Sequence, residues 1–210
     1  MTTIIKLSWL SLIIAMLGDI VLSFVLPLFY KTYSISKMSI SALGNPQSPV
    51  RLIFNLWMLA EGILFLFSLP ALFKKYHAVS PVLTNVMLVF IALFAIGACV
   101  FTCFFSVNES KDVVTVSSKI HGVGSALGFM LFLFVPLLFG ILSFKNNEGI
   151  IGIISVCSFV ISMAFFVLFV MSDKPEFSGT LISSEGLWQR LNLIFMYLPF
   201  LIAAITSTSQ

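Results

Sequence analysis

The chain has 210 residues, of which 60% are hydrophobic and 9% charged, with a mean hydropathy of +1.13. Soluble domains carry about 25% charged residues, so a water-soluble globular fold is excluded. The formal net charge of +3 is small and scattered, with no basic face interleaved with aromatics, which removes nucleic acid as a partner.

A helix crosses the hydrocarbon core with about 20 mainly apolar residues. Six stretches meet this requirement: 7–29, 50–73, 81–105, 120–144, 149–171 and 187–206. The expected fold class is therefore all-α, a polytopic transmembrane bundle of six helices forming one domain over residues 1–210. Lys6 precedes an apolar run that reaches Phe29 without an Ala-x-Ala-type cleavage site, so this run is expected to be a retained first helix.

After the first span comes a polar, turn-rich stretch, ISALGNPQSPVRLIFN, over residues 40–55. Residues 40–43 suit a short helical turn, with Gly44 expected to end it at positive φ. Ser48 is placed as an N-cap and Pro49 as the first helical residue. Arg51 and Asn55 then share one face at the mouth of the second span. Arg51 reads either as a lipid-headgroup anchor or as part of a site.

The connections after the second and fourth spans are short, at residues 74–80 and 145–148. Those after the first, third and fifth are longer and carry the distinctive residues. Six spans place both termini on one face. Lys6, Lys74, Lys75 and Lys145 flank the short-loop side, and Lys31, Lys37, Arg51, Lys111, Lys119, Lys174 and Arg190 the other. The plain count makes the long-loop side cytoplasmic, whereas the short loops concentrate their lysines and the long side mixes in Glu109, Asp112, Asp173, Glu176 and Glu185, so the reading taken against the plain count is the reverse orientation.

Two ionisable groups lie deep in the spans, Asp19 and Glu61. Counting 1.5 Å per residue puts both roughly 15 Å below the long-loop surface. Such groups usually face a bundle interior and have a partner, and the candidates entering from the same face are Arg51, His121 and Arg190. The fourth span opens KIHGVGSALGF, which sets His121, Gly124 or Ser125, and Gly128 on one face, with Gly124 and Gly128 forming a GxxxG. The sixth opens GLWQRLNLIF, where Trp188 suits an interfacial belt and Gln189 and Arg190 are the first polar groups inside. Cys99, Cys103 and Cys157 fall in apolar segments and read as small hydrophobes. The two histidines, His77 and His121, lie at opposite faces, so no three-ligand metal site is expected and no cofactor is implied.

The order ISALG-x5-RLIFN, then H-G-x-G at the fourth span and G-L-W-Q-R at the sixth, resembles the prokaryotic membrane family known as domain of unknown function 998, over essentially the whole chain. Asn45-Pro46-Gln47 departs from the smaller residues expected there. A fainter likeness runs to eukaryotic Frag/DRAM/Sfk-type six-span proteins. The family resemblance implies six spans in a prokaryotic cytoplasmic membrane and brings no activity and no catalytic residues.

Three functional readings follow. The first is binding or sensing of a membrane lipid or small amphiphile in a pocket open to the long-loop face, with Arg51, Asn55, His121, Gln189 and Arg190 as ligand contacts and the arginines meeting an anionic head. The second is a lipid-modifying enzyme with His121 as general base, oriented by Asp19 or Glu61. The third is a proton- or cation-coupled carrier using the two acids. Binding asks least of the residues and is the preferred expectation.

Overall fold

The computed structural model describes residues 2–108 and 114–209, so Glu109, Lys111 and Asp112, which entered the orientation argument, lie outside the described residues. The chain is built from helices α1 (Thr3–Val25), α2 (Arg51–Tyr76), α3 (Pro81–Phe94), α4 (Phe101–Phe104), α5 (Val116–Leu133), α6 (Val135–Lys145), α7 (Gly149–Met171) and α8 (Glu185–Thr208). Among the described residues there is no strand. Six helical rods are long and apolar enough to cross a membrane: Thr3–Phe29, Arg51–Tyr76, Pro81–Phe104, Val116–Lys145, Gly149–Met171 and Glu185–Thr208. Large apolar side chains such as Leu52, Val82 and Ile150 remain on the outside, as expected where the solvent is lipid and not water.

The rods are interrupted where the sequence demands it. Pro27 sits in a 3-10 turn, Leu26–Phe29, that closes the first span. Pro136 lacks the N–H that a continuous helix would donate back, and the fourth span breaks at Phe134 between α5 and α6. The third span contains a π-turn, Ala95–Val100, between α3 and α4, a device that rotates the following side chains relative to a regular helix.

Small residues set the closest helix approach. A Cβ on Gly124 would lie 2.9 Å from the carbonyl oxygen of Gly97, and one on Gly128 would lie 3.2 Å from the Cβ of Ala98. The GxxxG of α5 therefore packs directly on the π-turn. An aromatic centre of Phe65, Phe94, Phe132 and Tyr197, with ring centroids 4.4 to 5.9 Å apart, fills the middle of the bundle.

The polar stretch after the first span forms a 3-10 turn at Ile40–Gly44. Gly44 does not adopt positive φ, contrary to expectation. Its lack of a Cβ is needed for a different reason, since a Cβ there would stand 2.8 Å from both Asn55 Oδ1 and Phe54 Cδ1. The second span also begins two residues later than expected, at Arg51 and not Pro49, with Ser48 Oγ accepting the Val50 amide at 3.3 Å.

Candidate functional site

The long-loop end of the bundle holds a cavity of about 600 Å³. Its walls are stripes that repeat every three or four residues, the period at which a helix presents one face: Phe54, Met58 and Glu61 from α2; Phe94, Ala98 and Thr102 along the third span; His121, Ser125 and Phe129, with Gly122, Ala126 and Met130 beside them, from α5; and Glu185, Gln189 and Leu193 from α8. Asp19 of α1 and Phe166, Phe169 and Val170 of α7 complete it, and Lys37, Ser39, Ser41 and Asn108 stand in the loops above. Helices α5 and α7 scarcely touch one another, and Gly122, Ala126, Met130 and Val170 along that seam are exposed. The cavity thus reaches both the long-loop surface and the lipid-facing side.

Asp19 and Glu61 lie in the deep part. Asp19 is 6% exposed, and its Oδ2 accepts the hydroxyl of Tyr197 at 3.0 Å. Glu61 is 1% exposed, within electrostatic range of Asp19, and neither of its oxygens has a hydrogen-bond partner among the described residues. The depth reckoned from the sequence does bring the two acids to one place.

His121 is buried and bonds to neither acid. Its Nδ1 stands 3.0 Å from the carbonyl oxygen of Phe105 and 3.4 Å from Thr102 Oγ1. A carbonyl only accepts, so Nδ1 carries the proton and Nε2 is left as an acceptor, 3.5 Å from Ser125 Oγ. The histidine–carboxylate relay that a general base would use is therefore not assembled.

The arginines are placed elsewhere. Gln189 and Arg190 are consecutive, and one helical step turns the side chain by about 100°. Gln189 lines the cavity and accepts the Ile40 amide at 2.7 Å. Arg190, 2% exposed, turns towards α1 and does not line the cavity. Its Nε and Nη2 donate to the Ser23 carbonyl at 3.2 and 2.9 Å, its Nη1 to the carbonyls of Ile35 and Gly186 at 2.9 Å, and its Nη2 also to the Tyr33 hydroxyl at 2.9 Å. All five N–H groups of the guanidinium are engaged. Tyr33 in turn donates towards the Met38 and Ser39 carbonyls. Burial pushes its hydroxyl above the ordinary phenol value, with the Arg190 charge opposing.

Arg51 is exposed, with Nη2 3.5 Å from Ser106 Oγ, and Asn55 packs beside Gly44. Neither lines the cavity, because their face of α2 lies next to the Phe54, Met58 and Glu61 stripe and not on it. Of the expected ligand contacts, the cavity gathers His121 and Gln189 and leaves Arg51, Asn55 and Arg190 outside. Among the described residues, no cluster of three His, Cys, Asp or Glu side chains is arranged to hold a metal ion.

The fold and the cavity define a multi-pass membrane protein with a polar-floored chamber opening at its long-loop end. The chain belongs to the family described as Protein of unknown function (DUF998), whose model matches residues 13–206. No curated protein and no solved structure matches it.

Proposed function

We propose that the protein binds a small amphiphile within the membrane, in the chamber bounded by α1, α2, α5, α7, α8 and the third span. The observation that carries this reading is the chamber itself: about 600 Å³ falls within the volumes typical of small-molecule sites, which are mostly apolar with a few convergent polar groups. Phenylalanines from four helices line its body, and Asp19, Glu61, His121 and Gln189 supply polar groups. The seam between α5 and α7 provides a route from the bilayer. An anionic head at the floor is disfavoured, since Asp19 and Glu61 stand there, while Lys37 lies at the mouth and both arginines stand outside the chamber. The membrane concerned is read as a prokaryotic cytoplasmic membrane, on the family resemblance.

The test is native mass spectrometry with extraction of co-purifying small molecules, comparing wild type with Gly122→Trp and Ala126→Trp. A Cβ at Gly122 would meet nothing within 4 Å, so a side chain starts there without a clash, and an indole on this lining residue is expected to narrow the opening. Loss of a bound amphiphile in either variant is the expected result. An extract unchanged in both variants would remove the chamber as the binding site.

A further inference from the structure

We infer that the floor of the chamber takes a cationic head, a protonated amine attached to an apolar chain. The inference rests on the chamber reading above and adds the chemistry of the ligand's polar end.

The argument is one of charge and hydrogen-bond satisfaction. Two carboxyl groups stand together in an apolar interior, where an uncompensated charge is far more costly than at a surface. Among the described residues none forms an ion pair with them. Arg190 is near enough to act on Asp19 through space, yet every one of its N–H groups points to a carbonyl or to Tyr33. Among the described residues the ion pair formed within 4 Å is Lys75 with Glu148, at the opposite end of the bundle. Tyr197 gives one donor, to Asp19. That hydroxyl also stands towards Glu61, whose oxygens have no hydrogen bond within 3.5 Å among the described residues while the side chain lines the chamber.

Among the described residues, one tyrosine hydroxyl thus serves two carboxyl groups, and both Glu61 oxygens and the remaining lone pairs of Asp19 keep capacity to accept. An alkylammonium brings three N–H donors and the missing positive charge in one group. The rings of Phe54, Phe94 and Phe129 along the walls suit its chain, and their faces favour a cation nearby. A neutral alcohol offers one donor and no charge. A fatty acid adds a third carboxylate to the floor, and a phosphate-bearing headgroup likewise adds negative charge.

The experiment is calorimetric titration of the purified full-length chain in a neutral detergent, with octylamine below its pKa and 1-octanol as the uncharged probe. Octylammonium is expected to bind at least tenfold more tightly than octanol. Glu61→Gln is expected to bring it to the octanol level, and Asp19→Asn to weaken it by a smaller factor, with octanol unchanged in both. Both substitutions keep side-chain size, and a wild-type elution profile and thermal midpoint establish that they fold. Equal affinities in wild type, or a preference for octylammonium that survives in both variants, would overturn the cationic floor while leaving the chamber in place. Undiminished binding of both probes to Gly122→Trp and Ala126→Trp would instead overturn the chamber, and the cationic floor with it.

Discussion

The two ends of the bundle handle charge in opposite ways. At the short-loop end, Lys75 Nζ meets Glu148 Oε1 at 2.8 Å, and the buried Tyr76 hydroxyl donates to Glu148 Oε2 at 2.8 Å. Lys75 also lies over the rings of Trp9 and Tyr76 at 5.8 and 5.4 Å. Acid, base and donor are matched within the protein, and α1, α2 and the start of α7 are drawn together. At the long-loop end the buried cation is given over to backbone carbonyls, and the buried acids are left beside a chamber. An end whose charges are matched internally can close, whereas at the other end Asp19 has the Tyr197 hydroxyl and neither acid forms an ion pair among the described residues, which is the basis of the proposed cationic ligand.

Arg190→Ala should break this contrast most severely. It takes the side-chain donors away from the Ser23 and Ile35 carbonyls, and each buried acceptor left unsatisfied costs about 1–3 kcal/mol. Unfolding in detergent should show that loss, with new proteolytic cleavage over residues 30–40. Arg190→Lys should recover only part of it, since an ammonium cannot reproduce the planar fork. A wild-type midpoint for Arg190→Ala would show that the loop is held by other contacts.

Gly124→Leu forces a side chain into the contact with Gly97 and should cost about 1–3 kcal/mol. Gly122→Leu, two residues away on α5 with open space at its Cβ, should be nearly neutral. Comparable thermal shifts for the pair would contradict the packing assigned to α5. Tyr197→Phe removes the donor to Asp19, and a loss of about 1 kcal/mol is expected in the same assay.

The smallest effects belong to the short-loop end. Lys75 and Glu148 side chains are 20% and 25% exposed, so a double-mutant cycle should return about 0.5–1 kcal/mol, falling with added salt. A coupling well above that would mean this end is more deeply desolvated than its exposure indicates. Tyr33 adds a test at alkaline pH. Its raised value means that the fold favours the protonated phenol. Its contribution is therefore intact below the ordinary value of about 10 and is lost as pH rises through the higher folded value. Tyr33→Phe should flatten that alkaline limb of the unfolding curve.

Much of the architecture was legible in the sequence. The apolar runs fix six rods because a backbone in lipid must satisfy its own hydrogen bonds, and the structure differs from the expected spans only by a few residues at their ends. Asp19 and Glu61 were legible as deep residues because rise per residue converts position into depth. The GxxxG of α5 was legible as a place of close approach, although the sequence did not say that the π-turn of the third span would fill it.

The partners were a different matter. Gln189 and Arg190 are adjacent in sequence and face different neighbours. Nothing in the sequence marks Tyr197 as the donor to Asp19, though it continues the 185, 189, 193 stripe of α8 by one further turn. The depth of His121 suits a pairing with the two acids, whereas the Phe105 carbonyl and Thr102 take its ring. A residue's depth and polarity are properties of its own helix and can be counted along the chain. Which group it meets depends on the rotation of each helix about its axis, and that is set jointly by the packing of all six, including the π-turn and the break before Pro136. The sequence by itself therefore determined the helices, their depth and the residues that need a partner, and only the tertiary structure decided that Arg190 would serve a loop and Glu61 a chamber.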